Sequence, residues 1–93
     1  MSDEDQTELQ DIISNITNID EGRIKRLADK GHYFSLLEAF DILRIKFIYD
    51  DLNKEEAIRF ITLCKYFIKN AHSESLRLTC FYMHKKYMQK QGL

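Results

Sequence analysis

Ninety-three residues, 44% hydrophobic and 31% charged, suffice for one hydrophobic core and are too apolar for a disordered chain, so a single helical domain over 1–93 is expected. The sequence has no proline and only three glycines, which leaves few positions forced out of helix. Its two cysteines form no Cys-x-x-Cys pair, which argues against a disulfide scaffold. The formal net charge of −1 conceals a gradient: residues 1–20 carry six acids and no Lys or Arg, whereas 65–93 carry six basic residues against Glu74 alone. Such a gradient suits either self-complementarity or charged partners of opposite sign at the two ends.

The first helix is expected to start at Ser2, whose hydroxyl can cap a turn containing Asp3, Glu4 and Asp5 at the positive end of the helix dipole. Its apolar face is thin, with Leu9, Ile12, Ile13 and Ile16, and Ser14, Asn15, Thr17 and Asn18 weaken it. Asp20 then caps a short second helix over 21–30, with Ile24, Leu27 and Ala28 to bury and Gly31 to end it.

The stretch 33–49 follows at once, and twelve of its seventeen residues are apolar. Leu36, Phe40, Leu43 and Phe47 form one stripe, while Phe34, Leu37, Ile42, Ile45, Ile48 and Tyr49 fill most of the remaining circumference. A helix apolar on most sides is expected at the buried centre of a bundle. A membrane span is excluded by Glu38, Asp41, Arg44 and Lys46, each costing about 2.5 to 3.5 kcal/mol near a bilayer centre.

Asn53 with Glu56 three residues later makes a capping box, and Leu52 can staple onto Ala57, so a fourth helix is expected over about 54–70. Ala57, Phe60, Ile61, Leu63, Cys64, Phe67 and Ile68 share its inner face, and Arg59, Thr62, Lys65, Tyr66, Lys69 and Asn70 its outer one. A short connection and the Ser73 cap lead to a fifth helix, about 74–91, antiparallel to the fourth. Leu76, Cys80, Met83 and Tyr87 form its core stripe. Leu78, Phe81 and Met88 lie on roughly the opposite side and need another cover, because leaving them in water forgoes about 1.5 to 3 kcal/mol each. The fold class is therefore all-α, a bundle of four to five helices with a buried central helix (about 33–49) and an antiparallel C-terminal hairpin.

Gly31, Tyr33, Leu36, Phe40 and Leu43 resemble the second half of a tetratricopeptide repeat, with leucines where that pattern has alanines. Lys30, Gly31, His32 and Tyr33 through Glu38 and Ala39 also resemble the helix-turn-helix portion of ribbon-helix-helix DNA-binding proteins. The two resemblances together imply a helical hairpin at this segment.

No Gly-rich phosphate loop, paired-carboxylate motif or His-Glu-x-x-His occurs, and the three histidines are scattered, so no catalytic residues and no enzymatic activity are expected. Cys64 and Cys80 face each other across the expected hairpin, with His84 one turn further on; this set is weighed against core packing of both cysteines, and no metal or other cofactor is expected. Lys85, Lys86 and Lys90, interleaved with Tyr82 and Tyr87, are the candidate contact for nucleic acid or an acidic partner. The primary expectation is a small protein acting by protein–protein interaction, as a regulator, inhibitor or immunity-type factor. Leu78, Phe81 and Met88 are its candidate interface, a homodimer one form of it, and nucleic-acid binding the second class. The N-terminal stretch lacks the basic and apolar runs of a signal peptide, which points to a cytoplasmic location without membrane attachment.

Overall fold

The computed structural model describes residues 20–92. The expected first helix, with Leu9, Ile12, Ile13 and Ile16, lies outside the described residues. Asp20 takes an extended conformation (φ −132°, ψ 165°), and its carboxylate accepts the Arg23 backbone N–H at 2.8 Å, opening the short helix α1, Glu21–Leu27. Ile24 and Leu27 are completely buried. The chain continues through a π-helical turn, Ala28–His32, in which Gly31 adopts φ +97°. A Cβ at Gly31 would meet nothing within 4 Å, so glycine is needed there for its backbone freedom and not for space. This left-handed residue reorients the chain into α2, Tyr33–Ile48.

α2 closes with a Schellman motif. The Asp51 N–H donates to the Lys46 carbonyl at 2.8 Å and the Asp50 N–H to the Phe47 carbonyl at 3.0 Å, with Asp50 itself at φ +58°. The expected capping box then opens α3, Lys54–Asn70: the Glu56 N–H donates to Asn53 Oδ1 (2.8 Å), and the Asn53 N–H donates to Glu56 Oε1 (3.0 Å). Ser73 caps α4, Glu74–Lys90, its Oγ accepting the Leu76 N–H at 3.2 Å. Two successive short connections make α3 antiparallel to both neighbours, so α2 and α4 run parallel. At one end of the pair Tyr33 stacks on His72; at the other Lys90 reaches Asp50 at 2.5 Å.

The all-α class holds over the described residues, which contain three long helices and the short α1. The expectation of four to five helices is thus met only as a helical bundle, and the 21–30 segment is a two-turn helix followed by a kink. The buried central helix is also corrected. The hub is α3, which packs against α1, α2 and α4. α2 buries one stripe, Tyr33, Leu36, Ala39, Phe40, Leu43 and Phe47, whereas Phe34 is 75% exposed and Ile42, Ile45, Ile48 and Tyr49 are open to solvent. The reason is geometric: α2 docks through one side, so the remaining apolar directions have no described element to meet.

The core is a ring stack along α2 and α3. Phe40 lies 5.7 Å from both Phe60 and Phe67, and Phe47 lies 5.1 Å from Phe60. Because α3 is packed on two sides, its buried surface is wider than its apolar one. Arg59 and Tyr66, expected on the outer face, are both buried, and among the described residues Arg59 Nε has no hydrogen-bond partner.

Candidate functional site

α2 and α4 dock on the same hub but leave a groove between them. Phe47 and Tyr87, with ring centroids 6.2 Å apart, join the two helices below it. Towards the start of both helices lies a depression of about 570 Å³, bordered by Phe34, Leu37, Asp41 and Arg44 on one side and Leu76 and Thr79 on the other. Towards their ends lies a second, of about 480 Å³, bordered by Phe47 and Ile48 and, across from them, by Tyr82, Met83, Lys86 and Lys90. Of the residues bordering the two depressions, Phe34 and Ile48 on α2 and Tyr82 on α4 are exposed. Phe34, Ile45 and Ile48 follow one another along α2, and Leu78 and Tyr82 are one turn apart on α4, all of them exposed.

The candidate interface residues fall differently. Leu78 and Phe81 are exposed, but Met88 is half-buried. Phe81 precedes Tyr82 and therefore points about 100° round the helix from it, on the flank away from the groove. The sequence places Tyr82 among the basic contact residues and not with the apolar ones, and it does not mark the outward side of α2 as exposed. The signal is the near-uniform apolar circumference of 33–49, which exceeds what one docked side can bury.

Lys85, Lys86 and Lys90 do not form a single basic surface. Lys90 is bound to Asp50 at 2.5 Å and sits 5.4 Å from the centre of the Phe47 ring. Lys86 lies 5.4 Å from the centre of the Tyr82 ring, on the groove rim. Lys85 is exposed on the outer side of α4. The acid content near the groove comes from Glu38 and Asp41 on α2. Arg44 donates to Asp41 Oδ1 through Nε at 2.9 Å and through Nη2 at 2.5 Å, so both contacts fall on one carboxylate oxygen.

Cys64 and Cys80 are free and completely buried. Burial raises both thiols, Cys80 to about 12, so neither is a ready thiolate nucleophile or metal ligand. His84 is half-buried, and among the described residues no three His, Cys, Asp or Glu side chains are grouped to hold a metal ion. The Cys64, Cys80 and His84 set is therefore not assembled as a ligand site. Among the described residues no helix is long and apolar enough to cross a membrane.

No protein-family model, no curated protein and no solved structure matches the chain.

Proposed function

We propose that this protein acts without catalysis, by holding another polypeptide on the face shared by α2 and α4, in the manner of an intracellular regulator, inhibitor or immunity-type factor. The observation that carries the reading is the apolar exposure along one groove: Phe34 and Ile48 on one rim, Tyr82 on the other. Scattered single apolar side chains are ordinary on a protein surface, but a continuous strip bordering a groove is what a partner helix or an opposing face covers. Tyr82 beside Lys86 adds an aromatic anchor with a polar edge, the kind of side chain that concentrates binding energy.

The test is a photo-activatable cross-linker placed at Ile48 or Tyr82 in the producing cells, with the exposed Lys65 on the outer side of α3 as the control position. Protein adducts are expected from the first two positions and not from the third. Adducts that disappear on nuclease treatment would favour nucleic acid, and their absence from both groove positions would end the reading.

A further inference from the structure

We propose that residues 1–19 of this chain dock on the side of α3 that carries Arg59, with the Glu8 carboxylate received by the buried guanidinium. This surface is distinct from the α2 and α4 groove, so the proposal stands apart from the reading of that groove as a partner site. Three observations carry it: a buried cation without a counter-ion, the point at which the segment joins α1, and the pattern of charge and apolar residues along it.

Glu55, Arg59, Thr62, Tyr66 and Lys69 recur at spacings of four and three and so form one seam of α3. The seam lies away from α4, because Arg59 is about 140° round the helix from Cys64, whose thiol is close enough to Cys80 of α4 for the two to interact. α1 meets the far end of the seam: Glu21 pairs with Lys69 at 3.3 Å, and the charges of Lys25 and Asp29 act on Tyr66. Nearer the start of α3, Arg59 is only 6% exposed, yet its Nε has no hydrogen-bond partner and no described carboxylate pairs with it. Glu56, three residues before it, is already committed to Lys46 and to the Asn53 N–H. A buried guanidinium with an unused donor is a site for a carboxylate, which it can bind through two parallel N–H bonds. Ile58 beside it is half exposed and Thr62 half-buried, so the same stretch offers apolar surface.

Residues 1–19 carry five carboxylates and no Lys or Arg. Leu9, Ile12, Ile13 and Ile16 stand at helical spacing, and Glu8, four residues before Ile12, borders their stripe, whereas Asp11 falls on the opposite side. The segment joins α1 at Asp20, beside the Glu21 and Lys69 pair, so its path starts at one end of the seam. From Lys69 back to Arg59 is ten residues, about 15 Å along α3, and from Asp20 back to Glu8 is twelve, about 18 Å as helix. The two lengths agree to within one turn. A segment running alongside α3 therefore brings Glu8 level with Arg59 and sets the isoleucines over Ile58 and Thr62. The same placement keeps the acids away from Lys85 and Lys86 and leaves the α2 and α4 groove to a partner.

The experiment places a photo-activatable cross-linking residue at position 12 of the full chain, at low micromolar concentration, and maps the single-chain product. Adducts within 55–62 are expected; adducts on α4, adducts only between two chains, or none at all overturn the proposal. A double-mutant cycle by urea unfolding then tests the ion pair. Glu8→Gln should lower the folding equilibrium constant about tenfold in the wild-type chain and leave it unchanged in Arg59→Met, which fills similar space without charge. Asp11→Asn, on the opposite side of the stripe, should change it less than about twofold. An equal Glu8→Gln loss in both backgrounds, or an Asp11→Asn loss that matches it, overturns the assignment of Glu8 to Arg59. If Arg59→Met does not fold, the position-12 cross-link repeated in Glu8→Arg decides. Like charge should abolish the 55–62 adducts, and adducts that persist overturn the assignment.

Discussion

The Tyr33 hydroxyl accepts the His72 backbone N–H at 2.9 Å while the two rings stack with centroids 3.6 Å apart. One side chain at the first residue of α2 thus fastens the connection between α3 and α4, thirty-nine residues along the chain. The ring also packs edge-on to Phe67 at 5.6 Å, so the contact is anchored in the core. This clasp fixes where α4 begins relative to α2 and so sets the opening of the first groove depression. Tyr33→Phe keeps the ring and removes the acceptor; it should cost about 0.5 to 1.5 kcal/mol. Urea unfolding measures it, and a loss near zero would show that water replaces the hydroxyl without penalty.

The opening of α3 gives a pH signature. Glu56 accepts the Lys46 ammonium and the Asn53 backbone N–H; the Lys46 hydrogen bond first, and the Asn53 bond second, hold its carboxyl below the ordinary value of 4.5. The folded pKa is depressed, so the stabilisation is complete above the unfolded pKa and is lost as pH falls through the folded one. The stability difference between wild type and Glu56→Gln should therefore be constant from pH 7 to about pH 5.5 and shrink towards acid. A difference that grows below pH 4.5 would contradict the assignment. Asn53→Ala, which removes the reciprocal acceptor, should cost about 1 kcal/mol at neutral pH.

That boundary was readable because its determinants are local. Asn53, Glu56, Ser73 and Asp20 act on backbone within a few residues of themselves, and all four do what their spacing implies, whereas Gly31 takes its left-handed conformation inside a π-helical turn and not directly after a helix over 21–30. The core stripe Leu36, Phe40, Leu43 and Phe47 was equally legible from its 3.6-residue period. What periodicity could not supply was the number of neighbours each helix has. α2 has more apolar directions than described neighbours, and α3 has more neighbours than apolar directions; hence Phe34 stands in solvent and Arg59 is buried. The groove followed the same logic, because a site between two helices that are not consecutive in sequence has no local signal. Lys86 was legible as basic, but only the parallel run of α2 and α4 sets it across the second depression from Ile48.

Asp50 makes a second local prediction. It holds φ +58° in the Schellman motif, a conformation that glycine adopts without strain. Its ion pair with Lys90 is largely exposed, and exposed pairs contribute about 0 to 1 kcal/mol. Asp50→Gly should therefore be neutral to about 1 kcal/mol stabilising, while Asp50→Ala, which loses the pair and keeps the strained backbone, should be destabilising. Thermal unfolding of the two variants should place glycine above alanine, since both lose the Lys90 pair and only alanine keeps the backbone cost; the reverse order would mean that the left-handed conformation at position 50 carries no such cost.

The sharpest check on the architecture compares two phenylalanines of α2. Phe40 is 2% exposed and lies between Phe60 and Phe67, so Phe40→Ala removes a ring from the stack that joins α2 to the hub and should cost roughly 3 to 5 kcal/mol. Phe34 is 75% exposed and meets Tyr33 edge-on at 5.4 Å. Phe34→Ala should cost less than about 1 kcal/mol in the isolated chain, since most of its surface is already in water. If the helix were enclosed on all sides, the two losses would be comparable. Measuring both by urea unfolding at low micromolar concentration separates the core from the exposed side. A Phe34→Ala penalty of several kcal/mol in dilute solution would instead place that ring in the chain's own core.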